Sequence, residues 1–444
     1  MIANTSLSCA FTESFFLLLR KNNIRFCVIH NVEEVKSGLS HDIDICIESS
    51  KLALAEKLLN VIALEQGWKM HLHTGNIRDT FNAKSYHYHY IDERQRNITL
   101  LHFDFVPVTA WRGRELLSNE VLLTDVDSES LYPVSAPEVM AVVDLFPHLL
   151  YDNCIKDKYK NRIQRIFTEL PEKVLSIMHN FISKELAERI LGLAQQQQWD
   201  DILALRADIV TQSLRYAKRR PLDHWRHIVH KIMHPTGIMI AFQGTDGSGK
   251  SSIIQAIPEI LGNSYIGDTL NYYHWRPGFI KPEKKLNTEG EPITDLRPHT
   301  HPPDNRLRSF LKLGFYTLDY IFGYWLKVRK QISQGHLVIF DRYFYDFYID
   351  KLRYCLTINN GIIRLFHFLI PSPAITFLLI GDAEKIYERK KEISAAEIQE
   401  QTDRLLNNKH RFSNPIIIDV NQNLPKVCFN VCRAILTHLA AANK

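Results

Sequence analysis

The order of apolar and polar residues divides the chain into three zones. Residues 1–135 alternate helix-like runs with short runs of β-branched and aromatic residues, and the latter predict strands over 26–30, 44–47 and 102–106. Residues 136–234 repeat apolar positions at helical spacing, which predicts a helical connector. Residues 235–444 again alternate strand-like and helix-like runs. We therefore predict three domains with these bounds.

The strand-like runs of the last zone are short and almost entirely apolar. They cover 237–242, 270–275, 337–340, 375–380 and 416–420. Such runs are typical of parallel strands that helices cover on both faces. The predicted fold class is therefore α/β. It has a parallel five-stranded sheet flanked by helices in the last domain, an α/β first domain and a helical connector.

The composition indicates a globular protein with a mild basic excess. The 444 residues are 45% apolar and carry a net charge of +5, which permits anionic partners such as nucleotides but does not call for sequence-specific nucleic-acid binding. The seven cysteines form no C-x-x-C pair, so we expect reduced thiols and a cytoplasmic location. The apolar run Phe15–Leu19 is too short for a secretory segment, and Asp319 interrupts the longest other run. No transmembrane segment is expected.

A glycine-rich stretch lies between a predicted strand and a helix-like run. It matches G-x-x-x-x-G-K-[ST], a loop whose backbone N–H groups hold phosphates. Lys250 is expected to reach the β- and γ-phosphates, and Ser251 to hold Mg²⁺. The predicted binding residues for ATP are Gly244, Thr245, Asp246, Gly247, Ser248, Gly249, Lys250, Ser251 and Ser252. The motif alone does not separate a kinase from a GTPase or an ATPase.

Charged residues follow two of the predicted strands at the same edge of the sheet. Asp341 and Arg342 follow the third strand of this zone, where a carboxylate can bind Mg²⁺ and a guanidinium can clamp a phosphate. Arg276 follows the second strand and brings another guanidinium to this edge. The alternatives left open are a salt bridge at the strand end for the first pair and an exposed turn for Arg276.

Asp246, inside the loop, has two interpretations. Its carboxylate could accept a hydrogen bond from an acceptor hydroxyl, or it could shape the turn. A hydroxyl acceptor also needs a general base, and Asp346 or Asp350 lie one or two helical turns beyond Arg342. A phosphate acceptor needs no base, because it arrives ionised.

In combination, these features resemble the thymidylate kinase family of P-loop kinases. That family has a DG-x-GK-[ST]-type loop, an Arg-Pro after its second strand, an Asp-Arg after its third strand and a mobile basic lid after its fourth strand. All four occur in that order within residues 235–444. The resemblance implies catalytic roles for Lys250, Asp341 and Arg342, with Mg²⁺ held by Asp341, and it implies that Arg276 binds the acceptor.

The lid that the resemblance implies would comprise residues 388–392 and the helix that follows. Some family members carry an arginine in the phosphate loop that this sequence lacks. The transition-state cation would then come from the lid, with Arg389 first and Lys390 or Lys391 next. The alternative is a solvated, charged start of a helix.

The acceptor side departs from the usual family pattern. The sequence reads Trp-Arg-Pro-Gly-Phe over 275–279 where thymidylate kinases usually show Arg-Glu-Pro-Gly-Gly, and a long insert occupies 279–305. Tyr343 and Asp346, which follow Arg342, join it as predicted acceptor-binding residues. The pattern also resembles divergent thymidylate-kinase-like proteins of bacterial surface-polysaccharide gene clusters. The implied acceptor is therefore a nucleoside monophosphate or a sugar or glycan.

A second predicted site lies near the N-terminus. Asp42 and Asp44 flank one residue at the start of a strand, so their carboxylates point to one face and favour a divalent cation, with Asp104 as a third ligand. The arrangement resembles the nucleotidyltransferase superfamily, although His30-Asn31 stands where that family has a glycine-containing pair. The alternatives are a degenerate domain used for binding and two surface aspartates that open a strand.

Two further patterns leave alternatives open. The alternating histidines at 71, 73, 87 and 89 could form a metal site, but they are more typical of the polar face of two strands. The basic segment 213–231, with interleaved aromatic residues, could contact anionic lipid or a polyanion, although such segments are more often solvated linker helices.

The leading hypothesis is an ATP- and Mg²⁺-dependent kinase with an appended nucleotidyltransferase-like domain. One alternative is a nucleotidyltransferase that acts through Asp42, Asp44 and Asp104 while the P-loop half regulates it. Another is a non-catalytic interaction protein that opens and closes on ATP. The expected partners are ATP and a small-molecule or glycan acceptor, and homodimer formation is left open.

Overall fold

The computed structural model describes most of the chain. The described residues are 2–75, 83–127, 129–219, 235–262, 270–279, 302–391 and 393–442, with the single positions 222, 225, 229 and 233. The chain divides into two compact units. The N-terminal unit comprises Met1–Ile91, Thr99–Met233 and Leu439–Lys444, and the C-terminal unit comprises Asp92–Ile98 and His234–His438. The predicted three-domain bounds stay a prediction.

The first part of the chain carries two sheets and a helical region. Its helices are α1 (Ile2–Lys21), α2 (Val32–Lys36), α3 (Leu52–Glu65), α4 (Asn119–Leu122), α5 (Pro137–Pro147), α6 (Asp157–Glu169), α7 (Pro171–Met178), α8 (Lys184–Gln195), α9 (Trp199–Ala204) and α10 (Arg206–Tyr216). Its strands are β1 (Phe26–Val28), β2 (Asp42–Ile47), β3 (Lys69–Gly75), β4 (Lys84–Asp92), β5 (Asn97–Phe105), β6 (Thr109–Trp111), β7 (Arg114–Leu117) and β8 (Lys218–Arg219).

The five-stranded sheet of this unit has the order β1-β2-β5-β4-β3. Strands β2 and β5 are parallel, and their register pairs Asp42 with His102 and Asp44 with Asp104. The apolar side chains that alternate with these polar ones form a core with α1, in which Phe11 and Phe15 contact Phe103 edge to face. One face of β2 and β5 is therefore apolar, and the other carries the predicted carboxylates. The three predicted strands of this zone are confirmed as β1, β2 and β5.

The second part of the chain alternates strands and helices. Its strands are β9 (Ile238–Gln243), β10 (Leu270–His274), β11 (Leu337–Asp341), β12 (Ile375–Ile380) and β13 (Pro415–Asp419). Its helices are α11 (Lys250–Leu261), α12 (Arg306–Gly323), α13 (Arg329–Ser333), α14 (Asp346–Ile349), α15 (Asn360–His367), α16 (Ala383–Arg389), α17 (Ala395–Asn407) and α18 (Leu424–Ala442).

The sheet of the C-terminal unit is parallel throughout, with the order β10-β11-β9-β12-β13. This confirms the predicted five-stranded parallel sheet and all five of its strands. Its central strands, β11, β9 and β12, are almost completely buried, as their continuous apolar sequence predicts. The carboxyl ends of β10, β11 and β9 lie side by side, because His274 pairs with Asp341 and Asp341 pairs with Phe242. The residues that follow these ends therefore gather at one edge.

Parts of two sequence predictions fall outside the described residues. In the insert 279–305, residues 280–301 are not described. In the basic segment 213–231, α10 runs to Tyr216 and β8 covers Lys218–Arg219, but beyond these only Leu222, Trp225 and Val229 are described, as helical and exposed. Within the described residues, no helix has the length and apolarity needed to cross a membrane. All seven cysteines are free thiols.

The start of β9 gives a test of the packing in the C-terminal unit. A Cβ atom on Gly237 would lie 2.4 Å from His336 O and 2.7 Å from Ile332 O. We predict that Gly237→Ala lowers the free energy of unfolding by about 1–3 kcal/mol, because backbone atoms must move apart to accept the methyl group. Urea denaturation measures the change.

The matched control is Gly314→Ala in α12, where the nearest atom to an added Cβ is 3.9 Å away. This exchange should raise the free energy of unfolding by up to about 1 kcal/mol, because alanine favours the helix. Equal effects of the two substitutions would contradict the described packing around Gly237.

Candidate active site

The glycine-rich stretch forms a tight loop between β9 and α11. Gly247 and Gly249 both have a φ of +85°, a backbone conformation that favours glycine. A Cβ atom on Gly244 would lie 2.8 Å from Ser248 Oγ, so the loop also closes tightly on itself. The loop thus needs glycine at three positions, as expected of a cradle whose backbone curls around an anion.

Lys250 begins α11 and turns back over this loop. Its ammonium group is buried and donates hydrogen bonds to Gly244 O and Thr245 O, each at 2.9 Å. Burial, together with the nearby Arg342 guanidinium, lowers the pKa of Lys250 to about 8. Its charge is therefore held at the mouth of the loop by carbonyl dipoles, with no described carboxylate hydrogen-bonded to it.

Asp341 and Arg342 lie directly beside the loop. Arg342 donates its backbone N–H to Phe242 O at 2.9 Å, so the end of β11 is held against the end of β9. Its φ is +71°, an uncommon conformation for a residue with a side chain. This turn aims the buried guanidinium back across the edge of the sheet toward the phosphate loop.

Asp246 of the loop receives two guanidinium groups. Arg342 Nη2 lies 2.6 Å from Asp246 Oδ1, and Arg353 Nη2 lies 2.7 Å from Asp246 Oδ2. Burial by itself raises the pKa of Asp246, but the two arginines outweigh it and hold that pKa well below its ordinary value. Asp246 is therefore ionised and paired, which supports its interpretation as a residue that shapes the loop.

Asp346 holds Arg342 from the other side and, with Asp246, Arg342 and Arg353, forms a group of ion pairs that we call the clamp. Its Oδ2 accepts from Arg342 Nη1 at 3.0 Å and from the Tyr354 hydroxyl at 2.9 Å. The Gln243 amide, oriented so that both of its ends are satisfied, donates to Asp346 Oδ1 at 2.8 Å. Asp346 is only 1% exposed, so in this conformation it orients Arg342 rather than facing an acceptor.

Tyr343 is also turned away from the predicted acceptor. Its ring is buried and packs edge to face against Phe340 and Tyr320, and its hydroxyl donates to Pro371 O. Burial raises the pKa of the Tyr343 hydroxyl. In the described conformation this residue therefore supports the core beneath the site. Its predicted contact with an acceptor stays a prediction.

Three buried oxygens at the loop have no hydrogen-bond partner among the described residues. They are Thr245 Oγ1, Ser248 Oγ and Asp341 Oδ1. The other oxygen of Asp341 accepts from the Tyr272 hydroxyl at 3.1 Å and lies 3.9 Å from His274 Nδ1. Burial opposes ionisation of Asp341, but His274 and the charges of Lys250 and Arg342 outweigh it and lower the pKa of Asp341. An ionised carboxylate with one oxygen left over is a suitable ligand for Mg²⁺.

The remaining loop residues are open to solvent. Ser251 and Ser252 lie exposed in the first turn of α11. A helix start of this kind offers backbone N–H groups to phosphate, and a serine hydroxyl there can reach a phosphate-bound metal. The residues present therefore fit a nucleotide with its magnesium ion.

Arg276 is neither exposed nor free. Its Nη1 lies 3.1 Å from Asp319 Oδ2, and Asp319, with 0% exposure, also accepts from the backbone N–H of Gly278 at 3.2 Å. The guanidinium lies over the rings of Trp275 and Tyr316. The alternative that Arg276 lies in an exposed turn is therefore wrong. Any contact of Arg276 with an acceptor would compete with Asp319.

The predicted lid contacts the phosphate loop. A Cβ atom on Gly247 would lie 3.0 Å from Ile386 O and 3.2 Å from Lys390 Cβ, so the end of α16 packs against the loop. Arg389 is directed away, and its Nη2 donates to Val420 O at 3.1 Å. Lys391 is exposed, and residue 392 lies outside the described part. In this conformation Lys390 lies against the loop, while Arg389 is bonded to the segment after β13.

Sequence reasoning missed two members of the site. Arg353 and Tyr354 lie in a short turn after α14, and each reaches a carboxylate of the site. No motif marks them. Their positions eleven and twelve residues after Arg342 become meaningful only when α14 folds back over the edge of the sheet.

The N-terminal unit brings its predicted carboxylates together and adds a histidine. Ligand atoms of Asp42, His102 and Asp104 all lie within 4.8 Å of one another. His102 Nε2 lies 2.6 Å from Asp42 Oδ1, and although burial opposes the charge, this partner raises the pKa of His102 to about 9. Asp44 is 6% exposed, and its Oδ1 has no hydrogen-bond partner among the described residues. The three carboxylates fit a divalent cation, whereas His102 has to lose its proton before it can ligate one.

The turn before this site adopts a conformation that glycine would favour. Asn31 has a φ of +53°, and its side-chain oxygen accepts from Lys158 Nζ at 2.7 Å and from the Tyr159 hydroxyl at 3.1 Å. His30 Nδ1 lies 3.5 Å from Asp144, which also receives the guanidinium of Arg162. Asn31 thus adopts a left-handed backbone conformation that glycine would favour, but the side chains of Lys158 and Tyr159 lie beside this turn.

Three of the alternating histidines, His71, His87 and His89, form a strip of neighbouring rings, whereas the ring of His73 stacks on Tyr86. His71 Nδ1 and His89 Nδ1 lie 3.2 Å apart, and the His87 ring stacks on His102 at 4.7 Å between centroids. Burial lowers the pKa of His71 and His89, the latter to about 4. Among the described residues, only Asp42, His102 and Asp104 meet the spacing of a three-ligand site. The polar-face interpretation fits this strip better.

Comparisons with known proteins found similarity only to solved structures. No family model matches the sequence, and no curated protein matches it. Thymidylate kinase from Ehrlichia chaffeensis is 20% identical, with a TM-score of 0.31, covering 45% of this chain and 99% of that chain. Thymidylate kinase from Candida albicans is 16% identical, with a TM-score of 0.33, covering 46% of this chain and 92% of that chain.

The clamp on Asp246 predicts a pH-dependent contribution to stability. We expect Asp246→Asn to lower the free energy of unfolding at pH 7 by about 1.5–3 kcal/mol, because two charged hydrogen bonds are weakened. Since the pKa of Asp246 is depressed in the folded state, the wild-type advantage is complete above the ordinary value near 4 and declines as the pH falls further. Urea midpoints at pH 7, 4 and 2.5 measure this.

The control is Asp403→Asn on the exposed face of α17, where the carboxylate accepts a hydrogen bond from the neutral side chain of Gln399. This exchange should leave the midpoints almost unchanged. A difference between wild type and Asp246→Asn that grows toward low pH would contradict the proposed clamp.

Proposed function

We propose that this chain is an ATP- and Mg²⁺-dependent phosphotransferase that moves the γ-phosphoryl group to an acceptor. One observation carries the proposal. The glycine-rich loop and the Asp341-Arg342 pair face one another, with Asp246 of the loop joined to Arg342 at 2.6 Å. A loop that holds a triphosphate tail, next to an unsatisfied carboxylate oxygen and a guanidinium, is the arrangement that phosphoryl transfer needs.

The loop residues would bind the phosphates. Backbone N–H groups from Gly244 to Ser251 and the start of α11 would hold the β- and γ-phosphates. Lys250 would exchange its two loop carbonyls for phosphate oxygens, a favourable exchange because its charge is then paired. Thr245 and Ser248 would use their unsatisfied hydroxyls in the same cradle.

The acidic end of β11 would hold the metal. Ser251 and Asp341 would hold Mg²⁺, which neutralises charge on the β- and γ-phosphates when bound. Arg342, kept in place by Asp246 and Asp346, would stabilise the charge of the transferring group. A lid cation, from Arg389 or Lys390, would complete this after a change in the conformation of α16.

The carboxylates near the loop favour an acceptor that arrives ionised. Asp246 and Asp346 are both engaged by arginine, and Asp350 is buried with its Oδ1 accepting from the backbone N–H of Arg353 at 3.2 Å. A carboxylate paired with guanidinium is a weak general base. We therefore favour a phosphate-bearing acceptor, a nucleoside monophosphate or a phosphorylated sugar, over a free hydroxyl.

The direct test follows label from γ-labelled ATP into a panel of nucleoside monophosphates, sugar phosphates and free sugars. We predict that Lys250→Ala lowers transfer by at least about 100-fold, because it removes a cation that contacts the transferring group. Circular dichroism and the unfolding midpoint would verify that the variant is folded.

Lys330→Ala, an exposed lysine of α13, is the matched control and should retain wild-type transfer. Wild-type turnover in Lys250→Ala, or no transfer to any acceptor by the wild type, would contradict the proposal. Transfer only to free sugars would refute the preference for an ionised acceptor.

A second candidate function is nucleotidyl transfer by the N-terminal unit. The observation that favours it is the shared face of β2 and β5, where Asp42 and Asp104 can ligate one ion and Asp44 keeps an unsatisfied oxygen. Paired carboxylates on neighbouring strands are the donor set that a divalent cation and a triphosphate need.

Label from α-labelled ATP tests this candidate. If the N-terminal unit is catalytic, α-label appears in product, the Asp42→Ala, Asp44→Ala double variant loses it by at least about 100-fold, and Lys250→Ala keeps it. If the C-terminal unit alone is catalytic, only γ-label is transferred and the double variant retains transfer. Absence of α-label with every acceptor would refute the second candidate.

A further inference from the structure

A cavity of about 850 Å³ lies in the C-terminal unit, away from the phosphate loop. Its residues come from α15, from Tyr348 of α14 and from the segments that lead into β12 and β13, including Ser372 and Arg411. Ala374, next to this cavity, donates its N–H to Met239 O at 2.7 Å, which places the cavity beside the first residues of β9. The phosphate loop follows the last residue of β9. The cavity and the phosphate loop therefore lie near opposite ends of β9.

Two arginines give the cavity a positive charge. Arg364 and Arg411 line it, and none of its lining residues is acidic. Arg411 Nε donates to Asn408 Oδ1 at 3.1 Å, and its guanidinium lies 5.3 Å from the centre of the Tyr348 ring. Among the described residues, no carboxylate forms an ion pair with either arginine. Most guanidinium N–H groups of the pair are thus available to an anion.

Neutral hydrogen-bonding groups accompany these charges. His367 Nδ1 lies 3.3 Å from the Tyr348 hydroxyl, and burial, together with Arg411, lowers the pKa of His367 to about 4. It is therefore uncharged at neutral pH. Ser372 and His410 also line the cavity. This mixture of two fixed cations and small polar groups is typical of sites that bind phosphate esters.

The mouth of the cavity is unusually apolar for a charged site. Leu365 and Phe368 line it and are 67% and 88% exposed, and the neighbouring Leu369 is 55% exposed. Solvent-facing apolar side chains next to unpaired cations favour a ligand that has both an anionic group and an apolar body.

We propose that this cavity binds a phosphate ester that carries an apolar group, with the phosphate between Arg364 and Arg411 and the apolar group against Leu365 and Phe368. The same chemistry belongs to the headgroup of an anionic phospholipid and to a free organic phosphate. In either case the site is separate from the phosphate loop, and its existence does not depend on the proposed kinase activity.

The experiment uses the full chain and three probes. Hexyl phosphate and dihexanoyl phosphatidylglycerol, each below its micellar concentration, are titrated by calorimetry, and phosphatidylglycerol vesicles are compared with phosphatidylcholine vesicles by co-sedimentation. We expect at least one phosphate probe to bind. Arg364→Ala and Arg411→Ala should each weaken that binding at least tenfold.

Lys409→Ala is the matched control, because Lys409 is an exposed cation of the same segment that does not line the cavity. It should change the affinity less than twofold. Phosphate bound at the loop would affect all variants equally, so the difference between variants reports the cavity alone. Arg364→Lys, which keeps the charge, should recover part of the affinity if the variants are folded.

The outcomes separate the two sources of phosphate. Binding of hexyl phosphate identifies a free organic phosphate as the ligand. Binding of the short-chain lipid and phosphatidylglycerol vesicles, without binding of hexyl phosphate, identifies a lipid headgroup. Equal affinities for the wild type, both arginine variants and Lys409→Ala, or no binding of any probe, would overturn the proposal.

Discussion

The carboxylate of Asp246, held between Arg342 and Arg353, is the contact on which the C-terminal site depends. Burying an ion pair is costly unless every charge is paired and hydrogen-bonded, and here each oxygen of Asp246 receives its own guanidinium. The pair joins the glycine-rich loop to the end of β11 and to the turn after α14. It also stabilises the uncommon backbone conformation of Arg342, because a φ of +71° costs energy that surrounding contacts must offset.

The clamp continues from Arg342 toward the predicted acceptor side. Asp346 accepts from Arg342 and from Tyr354, and the Tyr354 ring stacks on Trp275 at 4.6 Å between centroids. Trp275 in turn precedes Arg276, whose guanidinium is paired with a buried aspartate. One unbroken series of contacts therefore runs from the phosphate loop to the turn after β10. A ligand that displaced a group at either end of this series would change the partners of a charged group within it. Binding at one predicted region would therefore alter the binding energy at the other.

Sequence patterns predicted the frame of this unit better than its charges. The five parallel strands were predictable because short continuous apolar runs are typical of strands buried on both faces. The loop was predictable because the spacing of its glycines dictates its backbone conformation. The partners of Arg342 and Arg276 were not, since Asp246 and Asp319 are distant in sequence and become neighbours only through the tertiary fold. Tyr343 illustrates the same limit, because its position beside Arg342 suggested a ligand contact while its ring was needed in the core.

Both units pair some buried carboxylates with cations and leave other carboxylate oxygens without a described partner. In the C-terminal unit, arginines neutralise Asp246 and Asp346, whereas Asp341 Oδ1 has no described hydrogen-bond partner. In the N-terminal unit, His102 pairs with Asp42, but Asp44 keeps an oxygen that no described group satisfies. A buried, unsatisfied carboxylate oxygen costs several times more than an ordinary hydrogen bond contributes. A bound cation would remove that cost at either carboxylate. At the N-terminal face this cost, rather than the glycine pair that the turn lacks, is the physical reason to test for a bound metal.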